Sequence, residues 1–178
     1  MLRANVGLSP VSGGANTPGD NAETKPDSPK ALSSPVGDAE ISSEYGANRE
    51  NCPVCSPTHA GTDYKVPIGT NVQATASGTV VRAGFSISYG NVVIVDHGAG
   101  RNENGNVYTL YAHGSSILVS VGEHVSIGQV IMTSGDTGRN VDGPHLHYEV
   151  IQTTFGLGSE FYKDMYTHPA GDLANLLR

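Results

Sequence analysis

Short runs of β-branched residues, each ended by glycine or another small residue, recur from residue 70 to residue 152. Regularly spaced runs of this kind, with turn residues between them, are typical of an antiparallel β-sandwich or barrel-like sheet. The predicted strands are 70–76, 78–84, 90–96, 106–113, 127–133 and 145–152. Leu173, Leu176 and Leu177 follow helical spacing and predict one short helix at the end of a mainly β chain.

Two of these segments have patterns that define their surroundings. Segment 90–96 is almost continuously apolar, which is typical of a buried central strand. Segment 106–113 alternates, so Tyr111 and His113 are expected on one face and Leu110 on the other. The pair Asn104-Gly105 favours a tight turn, so we expect the two segments to form a hairpin.

The first forty residues differ in composition from the rest. Residues 1–43 contain five of the 10 prolines, whereas all eight Tyr and all three Phe lie at Tyr45 or beyond. Such a segment buries too little apolar surface to offset its ordering entropy. We therefore expect residues 1–40 to be a flexible low-complexity arm, and a recognition tail for transport or docking is the open alternative.

The charge and hydropathy exclude several kinds of partner. The formal net charge of −7 disfavours a nucleic-acid groove or an anionic membrane, because both reward clustered Lys and Arg. No apolar run approaches the ~20 residues of a membrane span. The first ten residues lack the apolar region of a secretory signal, so we expect no Sec-type export unless the chain is a processed form.

Histidines are the residues best suited to chemistry in this chain. His145 and His147 are two apart on a predicted strand, so their side chains project from one face. His59 and Asp63 are four apart and also share a face if their segment is extended, and His113 ends another strand. Two histidines at this spacing also occur as ordinary strand residues, but the additional His59, Asp63 and His113 favour a metal site.

Two imidazoles, one carboxylate and an open position form a hydrolytic zinc site. Zn²⁺ brings the pKa of its water down towards ~7, which supplies hydroxide at neutral pH. A further histidine beside the metal takes the proton, and another donates to the developing oxyanion. The sequence therefore predicts a hydrolase with one Zn²⁺ per chain and leaves the division of roles among its histidines open.

The motifs HAGTD, YGNVVIVDHG, YAH and GPHLHYEV, in this order, resemble those of the lysostaphin-type (LytM-like) zinc metallopeptidases. The resemblance implies a metallopeptidase domain over residues 41–178 with a twisted antiparallel β-sheet core. It also implies an endopeptidase that cleaves the peptide stems and cross-links of bacterial peptidoglycan. Carried over residue by residue, the metal ligands are His59, Asp63 and His147, and the catalytic residues are His113 and His145, either of which can be the general base.

Cys52 and Cys55 stand just ahead of the first of these ligands. A redox pair lacks the surrounding βαβ unit, and a structural zinc knuckle lacks a second pair of cysteines. We therefore expect a local disulfide, which fits work in the periplasm or outside the cell.

Other residues and functions compete with this interpretation. Glu149 shares the face of His147 and either orients a histidine or points past the sheet edge, and Tyr64 and Tyr89 either line a groove or pack. Some relatives of the resembled family lose zinc ligands and regulate other wall hydrolases, but the ligand set here is complete. A cupin-like site needs a later metal histidine, and the only one is His168, beside a proline.

A wall hydrolase without a signal peptide reaches its substrate by another route. The routes are a contact-dependent secretion system, a phage holin pore, or a longer precursor. The acidic charge disfavours a free lysin that finds an anionic wall through basic patches. We therefore expect a delivered antibacterial effector or a lysis enzyme, and the producer of such an effector carries a cognate immunity or inhibitor protein.

Overall fold

Strands make up most of the regular secondary structure in the part of the chain that the structure describes. A computed structural model describes residues 31–32, 34–50, 57–101, 104–139, 141–154 and 166–177. The strands are β1 (Ile41–Ser43), β2 (Thr62–Tyr64), β3 (Asn71–Gln73), β4 (Gly78–Ser86), β5 (Gly90–Ala99), β6 (Asn106–Gly114), β7 (Ser116–Ile117), β8 (His124–Val125), β9 (Val130–Thr133), β10 (Leu146–Thr153) and β11 (Tyr166–His168). A 3-10 turn at Ala170–Asp172 leads into the helix α1 at Leu173–Leu176. The mainly β fold and the short C-terminal helix expected from the sequence are confirmed.

The strands form two antiparallel sheets. The main sheet has the order β1-β2-β10-β6-β5-β4-β8, and β11 also pairs with β10. A second sheet has the order β3-β9-β7. The expected hairpin is present, since β5 pairs with β6 and Gly105 has a positive φ of 96° in the turn between them. No helix in the described ranges has the length and hydropathy needed to span a membrane.

The two faces of the main sheet bury different clusters of side chains. On one face, Tyr111 and Tyr148 pack with Met132 of the small sheet, which covers this face. On the other face, Leu110 and Ile151 belong to a separate apolar cluster. Four histidine side chains meet on this second face, at the end of the sheet where β10 begins: His59, His113, His145 and His147.

A chain of hydroxyl groups ties the covered face together. The hydroxyl of Thr75 lies 2.9 Å from the hydroxyls of both Tyr111 and Tyr148. The hydroxyl of Thr109 donates to that of Tyr111 at 2.9 Å, and His97 Nε2 lies 2.8 Å from the same threonine oxygen. These bonds satisfy buried hydroxyls and help fix the register of β6 and β10, the strands that carry the candidate site.

A short strap (residues 31–32 and 34–40) packs against the domain ahead of β1. The N–H of Leu32 donates to the carbonyl of Thr75 at 2.7 Å, and the N–H of Gln73 donates to the carbonyl of Pro35 at 2.9 Å. Val36 of the strap also packs on the core. The packed chain thus begins ahead of residue 41, and residues 1–30 of the expected arm lie outside the described residues.

Candidate metal centre

The register between two neighbouring strands brings the first acidic and imidazole groups together. Asp63 on β2 is the direct partner of His147 on β10. Side chains directly opposite each other on antiparallel strands are close neighbours on one face. His59 stands three residues ahead of β2, and its buried ring reaches the same point. The fold therefore gathers three residues that the sequence leaves far apart.

The donor atoms of these three residues converge. His147 Nδ1 lies 2.8 Å from Asp63 Oδ1 and 3.1 Å from His59 Nε2. His59 Nε2 lies 3.2 Å from Asp63 Oδ1. All three side chains are buried. Two imidazole nitrogens and one carboxylate oxygen at these separations match the donor set that zinc prefers.

Oxygen atoms hold the second nitrogen of the His59 ring and of the His147 ring, the nitrogen that does not face Asp63. His59 Nδ1 donates to the carbonyl of Glu44 at 2.9 Å, which leaves its Nε2 lone pair directed at the cluster. His147 Nε2 lies 2.8 Å from Glu149 Oε1, and Glu149 is 1% exposed. The hydroxyl of Tyr89 donates to the same Glu149 oxygen at 2.8 Å. Carboxylates and carbonyls in these positions orient the imidazole ligands of metal sites.

The charges at the cluster favour a cation. Burial opposes ionisation of Asp63, but the neighbouring imidazoles of His147 and His59 outweigh it and hold the pKa of Asp63 well below its usual range. Burial also opposes protonation of His147, but the carboxylates of Asp63 and Glu149 raise the pKa of this ring to about 9. Two buried carboxylates thus hold a positive charge between them. The donor atoms fit a divalent metal such as Zn²⁺, and binding of such a metal would replace that proton.

Close packing around the cluster depends on Gly61 of the HAGTD motif. A Cβ atom at this position would lie 2.4 Å from the backbone oxygen of Tyr148 and 2.9 Å from His147 Cε1 and Glu149 Cγ. Backbone and side-chain atoms of β10 occupy the space that any other residue would need. Gly61 therefore lets the segment that carries His59 and Asp63 approach β10 closely.

His113 reaches the site through an irregularity that simple alternation does not predict. Alternation puts His113 on the face of Tyr111, and this expectation is wrong. A bulge interrupts the pairing of β5 and β6 between Val93↔Tyr111 and Asn91↔Gly114. Within the described residues, His113 is also the one non-glycine residue with a positive φ, 63°. The bulge and the left-handed backbone turn the ring to the face of His147, with the ring centroids 5.9 Å apart.

His113 and His145 form a second pair beside the three donors. Their ring centroids are 4.8 Å apart. His113 Nδ1 donates to the carbonyl of Thr137 at 2.8 Å, and His145 Nδ1 donates to the carbonyl of Gly143 at 2.9 Å. Nε2 is therefore the nitrogen of each ring that does not bind a backbone carbonyl, and His145 Nε2 lies 3.9 Å from Asp63 Oδ1. Burial lowers the pKa of His113 to about 4, so its ring is neutral at neutral pH.

The structure brings together all five residues that the sequence singled out, and it adds others. Glu149 faces His147, as one of the two alternatives expected. Arg49 lies in no sequence motif that would have predicted its place in the site, yet its guanidinium lies 2.7 Å from Asp63. The expected disulfide of Cys52 and Cys55 lies outside the described residues and stays a prediction.

Comparisons with known proteins show the family to which this chain belongs. Residues 57–157 match Peptidase family M23, and the chain belongs to this family. It is 49% identical over 94 residues to peptidoglycan DD-endopeptidase ShyA of Vibrio cholerae, a match that covers 52% of this chain and 20% of that protein. It is 36% identical over 91 residues to DD-carboxypeptidase/endopeptidase Mpg of Neisseria meningitidis, covering 51% and 19%. The lysostaphin-type resemblance expected from the motifs is confirmed.

Solved structures show the same fold. A zinc-containing peptidase from Vibrio cholerae superposes with a TM-score of 0.64 at 28% identity, covering 80% of this chain and 40% of that one. The catalytic domain of lysostaphin from Staphylococcus simulans gives a TM-score of 0.61 at 26% identity, covering 79% and 95%. The chain spans between 19% and 28% of the length of the curated relatives it matches.

Proposed function

We propose that this chain is a zinc-dependent endopeptidase that hydrolyses the peptide cross-links of bacterial peptidoglycan. The observation that carries the proposal is the buried convergence of His59, Asp63 and His147 beside two histidines that are each anchored through Nδ1 on a backbone carbonyl. The names of the relatives, which include a peptidoglycan DD-endopeptidase, support the choice of substrate. The proposal assigns one Zn²⁺ per chain.

The ligand assignment follows from the hydrogen bonds of each ring. His59 offers Nε2 because its Nδ1 carries a proton to the carbonyl of Glu44. His147 offers Nδ1 because its Nε2 faces Glu149, and Asp63 offers Oδ1. When bound, Zn²⁺ supplies the Lewis acidity that activates water and polarises the scissile carbonyl. The three side chains are buried, so their positions are set before substrate arrives.

His113 and His145 are the proposed proton-transfer groups. Each ring is anchored through Nδ1–H on a backbone carbonyl, so Nε2 is the nitrogen of each ring that is left for proton transfer. A neutral imidazole takes a proton from the attacking water, and a protonated one returns it to the leaving amine or stabilises the oxyanion. The lowered pKa of His113 keeps this ring neutral and ready to accept. Both rings are therefore assigned to the reaction.

The decisive experiment is digestion of purified sacculi of known cross-bridge type, followed by mass analysis of the released muropeptides. We expect cleaved cross-links from the zinc-loaded protein, and none from the zinc-free protein or from His145→Ala. The masses identify the scissile bond. Intact sacculi with fully zinc-loaded protein contradict an endopeptidase and favour the alternative, a non-catalytic regulator of other wall hydrolases.

The proposal places the chain at work in the periplasm or outside the cell, where peptidoglycan lies. A delivered antibacterial effector with a cognate immunity protein stays a prediction from the sequence. It is tested by exporting the chain to the periplasm of a sensitive host, with His145→Ala as the control. We expect lysis with the unmodified chain alone, and growth in both cases contradicts the effector role.

A further inference from the structure

A short antiparallel pairing stands just ahead of the candidate site. The N–H of His59 donates to the carbonyl of Ala47 at 3.0 Å, and the N–H of Arg49 donates to the carbonyl of Pro57 at 2.9 Å. We call this pairing the clip, formed by residues 46–49 and 57–59. The clip fixes the backbone of Arg49 and the backbone of a proposed metal ligand at the same time.

The side chain of Arg49 reaches from the clip to the carboxylate of Asp63. Arg49 Nη2 lies 2.7 Å from Asp63 Oδ2. The other oxygen, Oδ1, is the one that faces His147 Nδ1 at 2.8 Å and His59 Nε2 at 3.2 Å. The two oxygens of one carboxylate thus have separate partners, a guanidinium on one side and the imidazole pair on the other.

From this division we infer that Arg49 is a positioning residue for the metal centre, which holds Asp63 so that a single oxygen, Oδ1, is presented to the cation. The inference rests on the proposed metal site. A guanidinium is planar and permanently charged, so it fixes the plane of a carboxylate as well as neutralising it. An Asp63 without this partner is free to rotate and offer both oxygens.

The surroundings of this ion pair separate it from an ordinary surface contact. The side chains of Arg49 and Asp63 are 26% and 11% exposed. Lys65, two residues after Asp63, pairs with Glu40 at 3.6 Å, and these two side chains are 68% and 72% exposed. Exposed pairs of this second kind contribute little, whereas breaking a sheltered pair leaves a charge without its partner. Lys65 is therefore a matched control, a nearby basic residue that lacks the proposed role.

Arg49 also completes a pattern among the outer contacts of the site. Glu44 accepts a hydrogen bond from His59, and Glu149 faces His147. Arg49 holds the third donor in the same way. Each proposed ligand is thus oriented by a partner on the side away from the cluster, and such partners are typically worth 10- to 100-fold in metal affinity.

The test compares Arg49→Met, Arg49→Lys and the control Lys65→Met in the full chain. Zinc affinity is measured by competition with a chelator, and the visible spectrum of the cobalt-substituted protein reports the coordination of the metal. We expect Arg49→Met to bind zinc ~10- to 100-fold more weakly and to change the cobalt spectrum. The zinc affinity of Arg49→Lys should lie between those of Arg49→Met and the unmodified chain, and Lys65→Met should bind zinc as the unmodified chain does. Circular dichroism of the metal-free proteins should show that all of them fold.

Two results overturn the inference alone. One is a folded Arg49→Met protein with the zinc affinity and cobalt spectrum of Lys65→Met. If Arg49→Met does not fold, Arg49→Lys takes its place, and an unchanged affinity and spectrum there are equally decisive. A failure of the unmodified chain to bind zinc overturns the proposed function and this inference with it, so the two failures are distinguishable.

Discussion

Tyr111 and His113 are two residues apart on β6, and their side chains lie on opposite faces of the main sheet. The ring of Tyr111 is 5.3 Å from that of Tyr148 in the core, and the ring of His113 is 4.8 Å from that of His145 at the site. The bulge and the positive φ of His113 produce this reversal. A left-handed non-glycine residue costs ~1–3 kcal/mol, so its presence beside the donor cluster points to a functional side chain.

Loss of the His113 ring or of the His145 ring should therefore lower the rate of hydrolysis while zinc stays bound. We expect His113→Ala and His145→Ala to retain about one zinc per chain and to lose ~10²- to 10⁴-fold in rate on sacculi. Metal content is measured by elemental analysis of the same samples. The exposed His124 is the matched control, and His124→Ala should keep both. Loss of zinc from His145→Ala would show that this ring is a ligand and that the two histidines of GPHLH are wrongly divided.

Removal of a proposed ligand, in contrast, should lower the zinc content together with the activity. His147→Ala and Asp63→Ala each leave two of the three converging donors, so we expect zinc affinity to fall by ~100-fold or more and activity to fall with it. Equilibrium competition with a chelator measures the affinity. His168→Ala is the control with an unchanged donor set. Full zinc retention by the first two variants contradicts the assignment.

The sequence predicts the site unevenly, and the reasons are physical. His145 and His147 follow directly from the period of a strand, because alternate residues share a face. The proximity of Asp63 depends on the register of β2 against β10, which a three-residue strand does not encode by itself. The position of His113 depends on a bulge, and that of Arg49 depends on the clip, which pairs two segments that are separate in the chain. The fold class was predictable because long runs repeat its pattern, whereas single contacts depend on tertiary register.

Gly61→Ala should damage the site through crowding. The added methyl group would meet the backbone of β10 at 2.4 Å and the His147 ring at 2.9 Å. We expect the free energy of unfolding in urea to fall by about 1–3 kcal/mol and zinc affinity to fall as well. Gly84→Ala is the control, because nothing lies within 4 Å of a Cβ there. A variant at Gly61 as stable as the one at Gly84 contradicts the close approach.

His97 should make the fold sensitive to acid. Burial lowers the pKa of this ring below its ordinary 6.5, while Nδ1 donates to the carbonyl of Ser77. The unfolded chain thus takes up a proton below about pH 6.5 that the folded chain does not, and stability falls as pH drops towards the lowered pKa. Between about pH 7.5 and about pH 5, we expect urea unfolding to show a larger loss for the unmodified chain than for His97→Gln. Equal losses contradict this.

The strap ahead of β1 gives two truncations different outcomes. Deleting residues 1–30 leaves in place the hydrogen bonds from Leu32 to Thr75, from Gln73 to Pro35 and from Lys65 to Glu40. Deleting residues 1–40 removes all three, at ~1 kcal/mol each, together with apolar contacts. We expect the shorter deletion to keep its melting temperature and its activity on sacculi, and the longer one to melt earlier. Equal melting temperatures would show that the strap contributes nothing.

His59 and His147 are 88 residues apart in the chain, yet their ring nitrogens are 3.1 Å apart in the fold. A cation held by both would link the first and last thirds of the domain. Because the unfolded chain does not hold these two rings together, such a cation would stabilise the fold by its binding free energy. A chain that has not yet bound the proposed cation would therefore unfold more readily and be more open to proteolysis. Binding of that cation would stabilise the fold and complete the site in one event.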